Sequence, residues 1–349
     1  MYFTRRRKDL KFESELENEV LVAVRDFANA VSANSSVDTS MEALTKLTSN
    51  LKISHLDYWE RLIRDEFTGT VKDEKKAKWW LPLKPTQRFL TWIDVFNWDG
   101  YLRERSLRTL RGPVPNSFFF SLALRRLNDW VPQVRAAARE SLPGIVEASD
   151  PNHIVPAIGA TLSNWESWGR MEAVDKQVLF NILTNESTFE KFVSYVTCNT
   201  SGPMASVLSQ LGRSVLIDRH LSQLSESAIQ PSVRAKAYRS QLEGKIKWLE
   251  SREWKWIDKA YCIGRTVPII SERTLTEVPD FKNTLDAASK DNSSLVRRVA
   301  AELLIQNIGI LDDESSLNYA QKFAADRSPS VSERGRFALR QLGVDSENT

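Results

Sequence analysis

Apolar and small residues recur at every fourth position in several short segments, which is the spacing of one face of an α-helix. Val296, Ala300 and Leu304 form one such stripe, and Arg297 follows its first member. The stripe recurs one unit later at Val331, Gly335 and Leu339. A helical stripe that repeats in register predicts an array of similar helical units.

The same template can be followed back along the chain at a spacing of about 32 residues. Good matches are Leu102, Arg103, Ser106 and Leu110, then Val134, Arg135, Ala138 and Leu142, and then Val233, Arg234 and Ala237. Weaker matches are Gly169-Arg170, Met204 with Leu208, and Gly264-Arg265. We therefore expect a series of second helices that begin near residues 102, 134, 169, 204, 233, 264, 296 and 331.

Residues outside the stripe mark the starts of these helices. Proline lies two residues before the template valine at Pro132, Pro231 and Pro329, where a missing N–H costs nothing in a first helical turn. Asn or Asp lies six residues before the template arginine at Asn97, Asp129, Asn164 and Asp291. Short amphipathic runs upstream are predicted to be the first helix of each pair: 118–127, 154–162, 189–196, 215–224, 281–288 and 317–325.

This pattern resembles the HEAT repeat, a pair of antiparallel helices. It consists of an aspartate, often a proline, and then Val-Arg-x-x-Ala-x-x-x-Leu. The resemblance implies an all-α fold, an α-α superhelix of roughly seven to eight helical pairs over residues 95–345. It also implies a ladder of Asp and Arg side chains through the second helices. The residues implied for that ladder are Asp129, Arg135, Asp291 and Arg297, with Arg103, Arg170, Arg234 and Arg265 as further members.

Residues 1–94 do not follow the template. Leu16–Asn29 and Met41–Leu51 have amphipathic helical patterns, separated by a polar stretch. A helical N-terminal cap would cover the last apolar face of the array, and a partner-docking region is the alternative. Residues 346–349 form a short tail.

Composition favours an ordered chain that folds. Of 349 residues, 42% are hydrophobic and 27% are charged, so the chain can bury enough apolar surface to fold. No signal-type apolar segment follows the N-terminal charges and no stretch is long enough to cross a bilayer, so we expect a cytoplasmic protein with no membrane partner. The two cysteines, Cys198 and Cys262, lack metal-ligand neighbours and are expected to be buried thiols.

Basic residues are concentrated between residues 103 and 139, where Glu104 and Asp129 are the only acids. Exposed arginines on one face of an array can bind phosphates, although the net charge of the chain is only +3. The candidate contacts for a nucleic acid or other polyanion are Arg105, Arg108, Arg111, Arg125, Arg126 and Arg139.

Tryptophans beside cations form a second group of candidate contacts. Lys75, Lys76 and Lys78 adjoin Trp79 and Trp80, and Trp92, Trp98 and Trp130 follow. Such aromatics can stack on bases or anchor a protein interface, and they can also fill the seams between repeats. Burial is the more general explanation for most of the eleven tryptophans; Trp165, Trp168, Trp248, Trp254 and Trp256 are further candidates for exposed contacts.

Neither a catalytic centre nor a cofactor or metal site is predicted. The three histidines are isolated from one another, and no phosphate-binding glycine loop or nucleophile motif occurs. Leu295–Ala300 looks like a segment of the HEAT-like alkylpurine DNA glycosylases, but it equally fits the general repeat. We therefore expect a non-enzymatic scaffold that binds a protein partner along an extended surface, with no small-molecule substrate. The alternative is a nucleic-acid-binding HEAT-like protein. A narrower version of this alternative is a relative of the alkylpurine DNA glycosylases.

Overall fold

The structure is a computed structural model that describes residues 2–77 and 90–344, with side chains for 15–71, 90–186 and 188–344. The described chain is mostly helical and contains one small two-stranded sheet. It divides into two compact units, Met1–Thr188 and Phe189–Thr349. This division falls inside the region predicted to be a single array.

The first unit contains eight α-helices in its described residues, joined by short 3-10 turns. They are α1 (Tyr2–Ser32), α2 (Asp38–Thr48), α3 (Leu56–Ala77), α4 (Gly100–Thr109), α5 (Ser117–Leu124), α6 (Pro132–Glu147), α7 (Pro151–Leu162) and α8 (Ala173–Leu183). A further helix, α9 (Glu186–Cys198), contains the boundary between the units.

The second unit continues with short helices and a β-hairpin. Its elements are α10 (Met204–Leu211), α11 (Leu221–Ser227), α12 (Pro231–Glu243), β1 (Lys245–Asp258), β2 (Ile263–Thr274), α13 (Phe281–Ser289), α14 (Ser294–Gln306), α15 (Asp313–Ala324) and α16 (Pro329–Gln341).

Seven of the eight predicted second helices are confirmed as helices. They are α4, α6, α8, α10, α12, α14 and α16. Pro132, Pro231 and Pro329 each occupy the first turn of their helix, as predicted. The stripe residues Val296, Ala300, Leu304 and Val331 have no exposed surface, so the four-residue period does identify the buried face.

Each second helix packs against the next one of its series within the same unit. In the first unit α4 contacts α6 and α6 contacts α8, while α5 packs against α7. In the second unit α12 contacts both α10 and α14, and α14 contacts α16. The apolar stripes of α12, α14 and α16 join one core that also contains Leu285 and Phe323 from α13 and α15.

The predicted second helix near residue 264 is wrong, because this segment is the strand β2. Residues 245–274 alternate polar with β-branched or aromatic positions, which favours strands, and Pro268 cannot donate the hydrogen bond that a helix interior needs. β1 and β2 pair antiparallel from Lys245↔Thr274 to Asp258↔Ile263. Gly244, with φ of 65°, ends α12 in the left-handed conformation and starts the hairpin.

The start of β1 and the end of β2, which we call the root of the hairpin, are fixed to the helices by buried contacts. Ile246 is fully buried against Gly212, where an added Cβ would come within 2.7 Å of its side chain. Arg273 donates to both carboxylate oxygens of Asp218, at 2.6 and 2.9 Å, and Thr276 donates to the same group. Burial would raise the pKa of Asp218, but the bonds from Arg273 and Thr276 bring it below its ordinary value. These contacts orient the strands as they leave the helical body.

Lys236, on α12, donates to the backbone carbonyl of Lys247 at 2.7 Å, and burial lowers its pKa to about 8. The unfolded chain should hold this proton up to the ordinary pKa of 10.5. The unfolded state therefore binds more protons between these values, and the free energy of unfolding should rise by about 1–3 kcal/mol across that interval.

Urea denaturation at a series of pH values would measure this rise. Lys236→Met also loses the bond to the Lys247 carbonyl, but that loss is the same at every pH. The difference between wild type and variant should therefore change between pH 8 and 10.5 and be flat below pH 8. A difference that stays constant throughout would show that Lys236 titrates normally.

No helix in the described ranges is long and apolar enough to cross a bilayer. Cys198 and Cys262 are both exposed, so the expectation of buried thiols is wrong. Cys262 lies in the loop of the hairpin with φ of 55°. The loop projects from the helical core, and its side chains are therefore solvated.

Candidate binding surface

The helices of each unit are joined by arginines that repeat one pattern of hydrogen bonds. Arg103 donates from Nη1 to the carbonyls of Asn97 and Trp98, and from Nε and Nη2 to both oxygens of Asp129, at 2.8 to 3.0 Å. One arginine thus bonds to the turn before its own helix and to the equivalent turn of the next helical pair. A bidentate arginine–carboxylate contact fixes orientation as well as distance.

Two arginines of the second unit repeat the pattern. Arg234 donates to the carbonyls of Ala228 and Ile229 and to both oxygens of Asp291. Arg297 donates to the carbonyls of Asp291 and Asn292 and to both oxygens of Asp326. Burial raises the pKa of Asp291, but the bond from Arg234 outweighs it and lowers the pKa overall. Each of these carboxylates is therefore held as an anion.

The remaining residues implied for the ladder behave differently. Arg135 donates to the carbonyl of Asp129 and to Glu172 rather than to an equivalent aspartate. Arg170 lies in an exposed turn before α8, where its backbone N–H donates to Asn128. Arg265 lies on β2 and not on a helix, because the hairpin occupies the place of the predicted repeat.

Most arginines predicted to contact a polyanion are engaged in ion pairs. Arg126 is buried between Glu60 and Asp129, and Arg125 pairs with Asp57 and Glu60. Arg108 pairs with Glu104 and Glu140, and Arg139 with Asp175 at 2.6 Å. Because these charges are compensated within the protein, the bias in the sequence does not translate into a basic surface of the same strength.

Arg105 and Arg111 are exposed and have no carboxylate within 4 Å in the described part of the chain. Lys78, Trp79 and Trp80 lie outside the described residues, and Lys75 and Lys76 lie on α3 in a stretch whose side chains are not described. Arg105 on α4 and Arg111 just after it are thus the predicted arginines that have no ion pair in the described ranges, and the contacts from Lys75 to Trp80 stay a prediction.

Three large aromatic side chains are exposed where α4 and α6 begin. Trp98 is 58% exposed, Tyr101 84% and Trp130 71%. The Arg103–Asp129 contact holds the two turns together, and an added Cβ on Gly100 would come within 3.2 Å of a Val131 methyl group. We call Trp98, Tyr101 and Trp130 the aromatic ridge.

Trp98 is held in a fixed orientation at one end of the aromatic ridge. The Arg64 guanidinium lies 3.7 Å from its ring centroid, and its indole N–H donates to Asp65 at 3.0 Å. A cation over the ring face restrains an exposed indole, so little side-chain entropy remains to be lost when a partner covers it. This end of the ridge is therefore preorganised for contact.

The sequence contains a signal for this ridge that lies outside the apolar repeat template. Trp98 follows Asn97, and Trp130 follows Asp129, so both tryptophans come directly after a residue of the recurring Asn/Asp position. Trp165 follows Asn164 in the same way but is buried, at 2% exposure. The three tryptophans thus occupy the same position of the repeat. Only the structure shows that Trp98 and Trp130 are exposed and that Trp165 belongs to the core.

Comparison with known proteins finds no matching family and no significantly similar curated protein. Among the described residues, no group of three histidine, cysteine, aspartate or glutamate side chains is arranged to hold a metal ion.

Proposed function

We propose that this chain is a non-enzymatic binding scaffold of the HEAT-like α-solenoid type, which engages a protein partner through the aromatic ridge. The support for the solenoid type is the recurrence of one arginine contact at Arg103, Arg234 and Arg297. The contacts of each second helix with the next in its series agree with that arrangement.

The observation that carries the binding proposal is the exposure of Trp98, Tyr101 and Trp130 on two turns that are held together. Tryptophan and tyrosine are enriched among the interface residues that contribute most binding energy. An exposed aromatic cluster of this kind is unusual on a surface that stays in water, and a protein partner would cover it.

Affinity capture from the native host cells, with quantitative mass spectrometry, tests the proposal on three proteins. They are the wild-type chain, the ridge variant Trp98→Ala/Trp130→Ala, and the control variant Trp254→Ala/Trp256→Ala, which removes two exposed tryptophans from the hairpin. We expect a partner that the wild type and the control retain and the ridge variant loses.

The retained partner is then purified and titrated against the same three proteins by calorimetry. Truncation of two central aromatics should weaken binding at least about thirtyfold, with only weak dependence on salt. Equal retention by all three proteins, or a partner lost in the control variant only, would contradict a ridge-based interface.

A further inference from the structure

The distal part of the β-hairpin, residues 251–270, is exposed on both faces. Trp254 and Trp256 are 51% and 50% exposed, and Tyr261 in the loop is 79% exposed. We call this segment the hairpin arm. Its strands pair from Ser251↔Ile269 to Asp258↔Ile263, so the arm is an ordered ribbon rather than a loose loop.

Trp254 and Trp256 form a continuous aromatic surface on one face of the arm. Their ring centroids are 5.7 Å apart, and the rings meet edge to face at 86°. Trp254 also lies over Gly264, where an added Cβ would come within 2.5 Å of the indole ring. Gly264 thus leaves the space that the indole occupies beside the ribbon, and half of the Trp254 side chain stays exposed to solvent.

Four cations of the arm lack a compensating acid. No carboxylate of any described residue lies within 4 Å of Arg252, Lys255, Lys259 or Arg265. The arm also contains two acids, Glu253 and Asp258, and the latter accepts the backbone N–H groups of Ala260 and Tyr261. Four cations against two acids leave the arm with a net charge of +2.

The register places two of these cations directly opposite each other. Lys255 pairs with Arg265 across the strands, on the face opposite to that of Trp254 and Trp256. Like charges in directly opposed positions destabilise a sheet. The arm therefore carries an unfavourable arrangement that a bound anion would relieve.

We propose that the hairpin arm binds single-stranded nucleic acid, with Trp254 and Trp256 stacking on bases and Arg252, Lys255, Lys259 and Arg265 contacting phosphates. Half-exposed indoles provide surfaces on which unpaired bases stack, whatever their sequence. The cations supply charge complementarity to the backbone.

The distribution of contacts on both faces favours a single strand over a duplex. A ribbon of two strands is only about 10 Å across, so a flexible single strand can pass over its edge and reach both faces. A duplex has a persistence length of about 50 nm and cannot bend around so narrow an element. Bases within a duplex are also stacked on each other and do not offer their faces to an indole.

Fluorescence anisotropy of the full chain with a labelled oligothymidylate of about 16 nucleotides tests the proposal. The titration is repeated from low to physiological salt, beside a labelled duplex of the same length and vesicles that contain phosphatidylserine. We expect binding to the single strand that weakens with salt, with a slope of about −2 to −3 in a plot of log affinity against log salt.

Two variants separate stacking from charge. Trp254→Ala/Trp256→Ala should weaken binding about ten- to hundredfold and leave the salt slope unchanged. Lys255→Gln/Arg265→Gln should reduce the slope by about 1.4. This variant should also fold at least as stably as wild type, because it removes a like-charge pair.

The matched control, Lys282→Gln/Lys290→Gln, removes two cations that are paired with Asp312 and Asp286, and it should bind as wild type does. Replacement of residues 251–269 by a short turn keeps the buried root and should abolish binding. The ridge variant Trp98→Ala/Trp130→Ala should bind the single strand normally, so this result is independent of the proposed protein interface.

Four results would overturn the inference. One is the absence of single-strand binding at low salt, and another is binding that neither hairpin variant changes. The third is that the duplex binds as tightly as the single strand. The fourth is that vesicles alone bind and lose that binding in the tryptophan variant. The last result would assign the arm to a membrane surface, where Ile257 and Ile263 would accompany the tryptophans.

Discussion

Replacing Asp129 with alanine is expected to lower the free energy of unfolding by about 3–5 kcal/mol. Asp129 is 5% exposed and lies between two arginines that are themselves buried, Arg103 at 3% and Arg126 at 8%. It accepts hydrogen bonds from both, at 2.8 to 3.1 Å. Loss of the carboxylate leaves Arg103 without its ionic partner and Arg126 with Glu60 alone, and the remaining charges cannot reach water without opening the turn.

Glu172→Ala is the matched control for Asp129→Ala. Glu172 also accepts a bond from an arginine, Arg135 at 2.9 Å, but its side chain is 58% exposed. Solvent screens such a pair, but the Glu172 side chain also caps the first turn of α8. We therefore expect a loss of about 1–2 kcal/mol, which is still below that of Asp129→Ala. Urea denaturation followed by tryptophan fluorescence measures the loss in free energy of unfolding for both variants. If the two losses are equal, the buried arginine network does not hold the turns of the first unit together.

Gly335→Ala is expected to destabilise the second unit by about 2–3 kcal/mol, although alanine is the better helix former. An added Cβ at Gly335 would lie 2.1 Å from the backbone nitrogen of Ala324 and 2.4 Å from the carbonyl carbon of Phe323. These atoms belong to the backbone of α15 and its end, so no side-chain rotation can relieve the clash. The two helices would have to move apart.

The control for this variant is Gly69→Ala on α3, where an added Cβ meets no atom within 4 Å. That change should raise stability by about 0.5–1 kcal/mol, because only the helix propensity differs. Thermal denaturation followed by circular dichroism compares the two. A stabilising effect of Gly335→Ala would mean that α15 and α16 are not in close contact at this point.

The sequence predicts the helices well because their signals are local. A four-residue apolar period, a first-turn proline and a side chain that accepts N–H groups all lie within one short segment, as at Asp129 and Pro132 for α6. The period also assigns the buried face correctly at Val296 and Val331. It does not distinguish Gly335 from Ala300, since both occupy the small position of the stripe.

The repeat template does not reveal the hairpin, because the gap between Arg234 and Arg297 equals about two repeat periods. Gly264-Arg265 therefore fits the template, although the alternation of Ile246 with Trp248 and of Trp254 with Trp256 is typical of strands. The ion pairs of Arg125 and Arg126 with Glu60 could not be predicted either. They join residues far apart in the chain, and a one-dimensional charge count cannot show which charges cancel.

The Arg234–Asp291 contact has a consequence for how this chain could change in length. Its partners are 57 residues apart, whereas Arg103–Asp129 and Arg297–Asp326 span 26 and 29. The helices on either side, α12 and α14, still contact each other directly. Closing a longer connection costs only about 0.6 kcal/mol for each doubling of its length. The connection between α12 and α14 should therefore accept a shorter, longer or unrelated insert at little thermodynamic cost. It is a suitable position for grafting a new recognition element onto the chain.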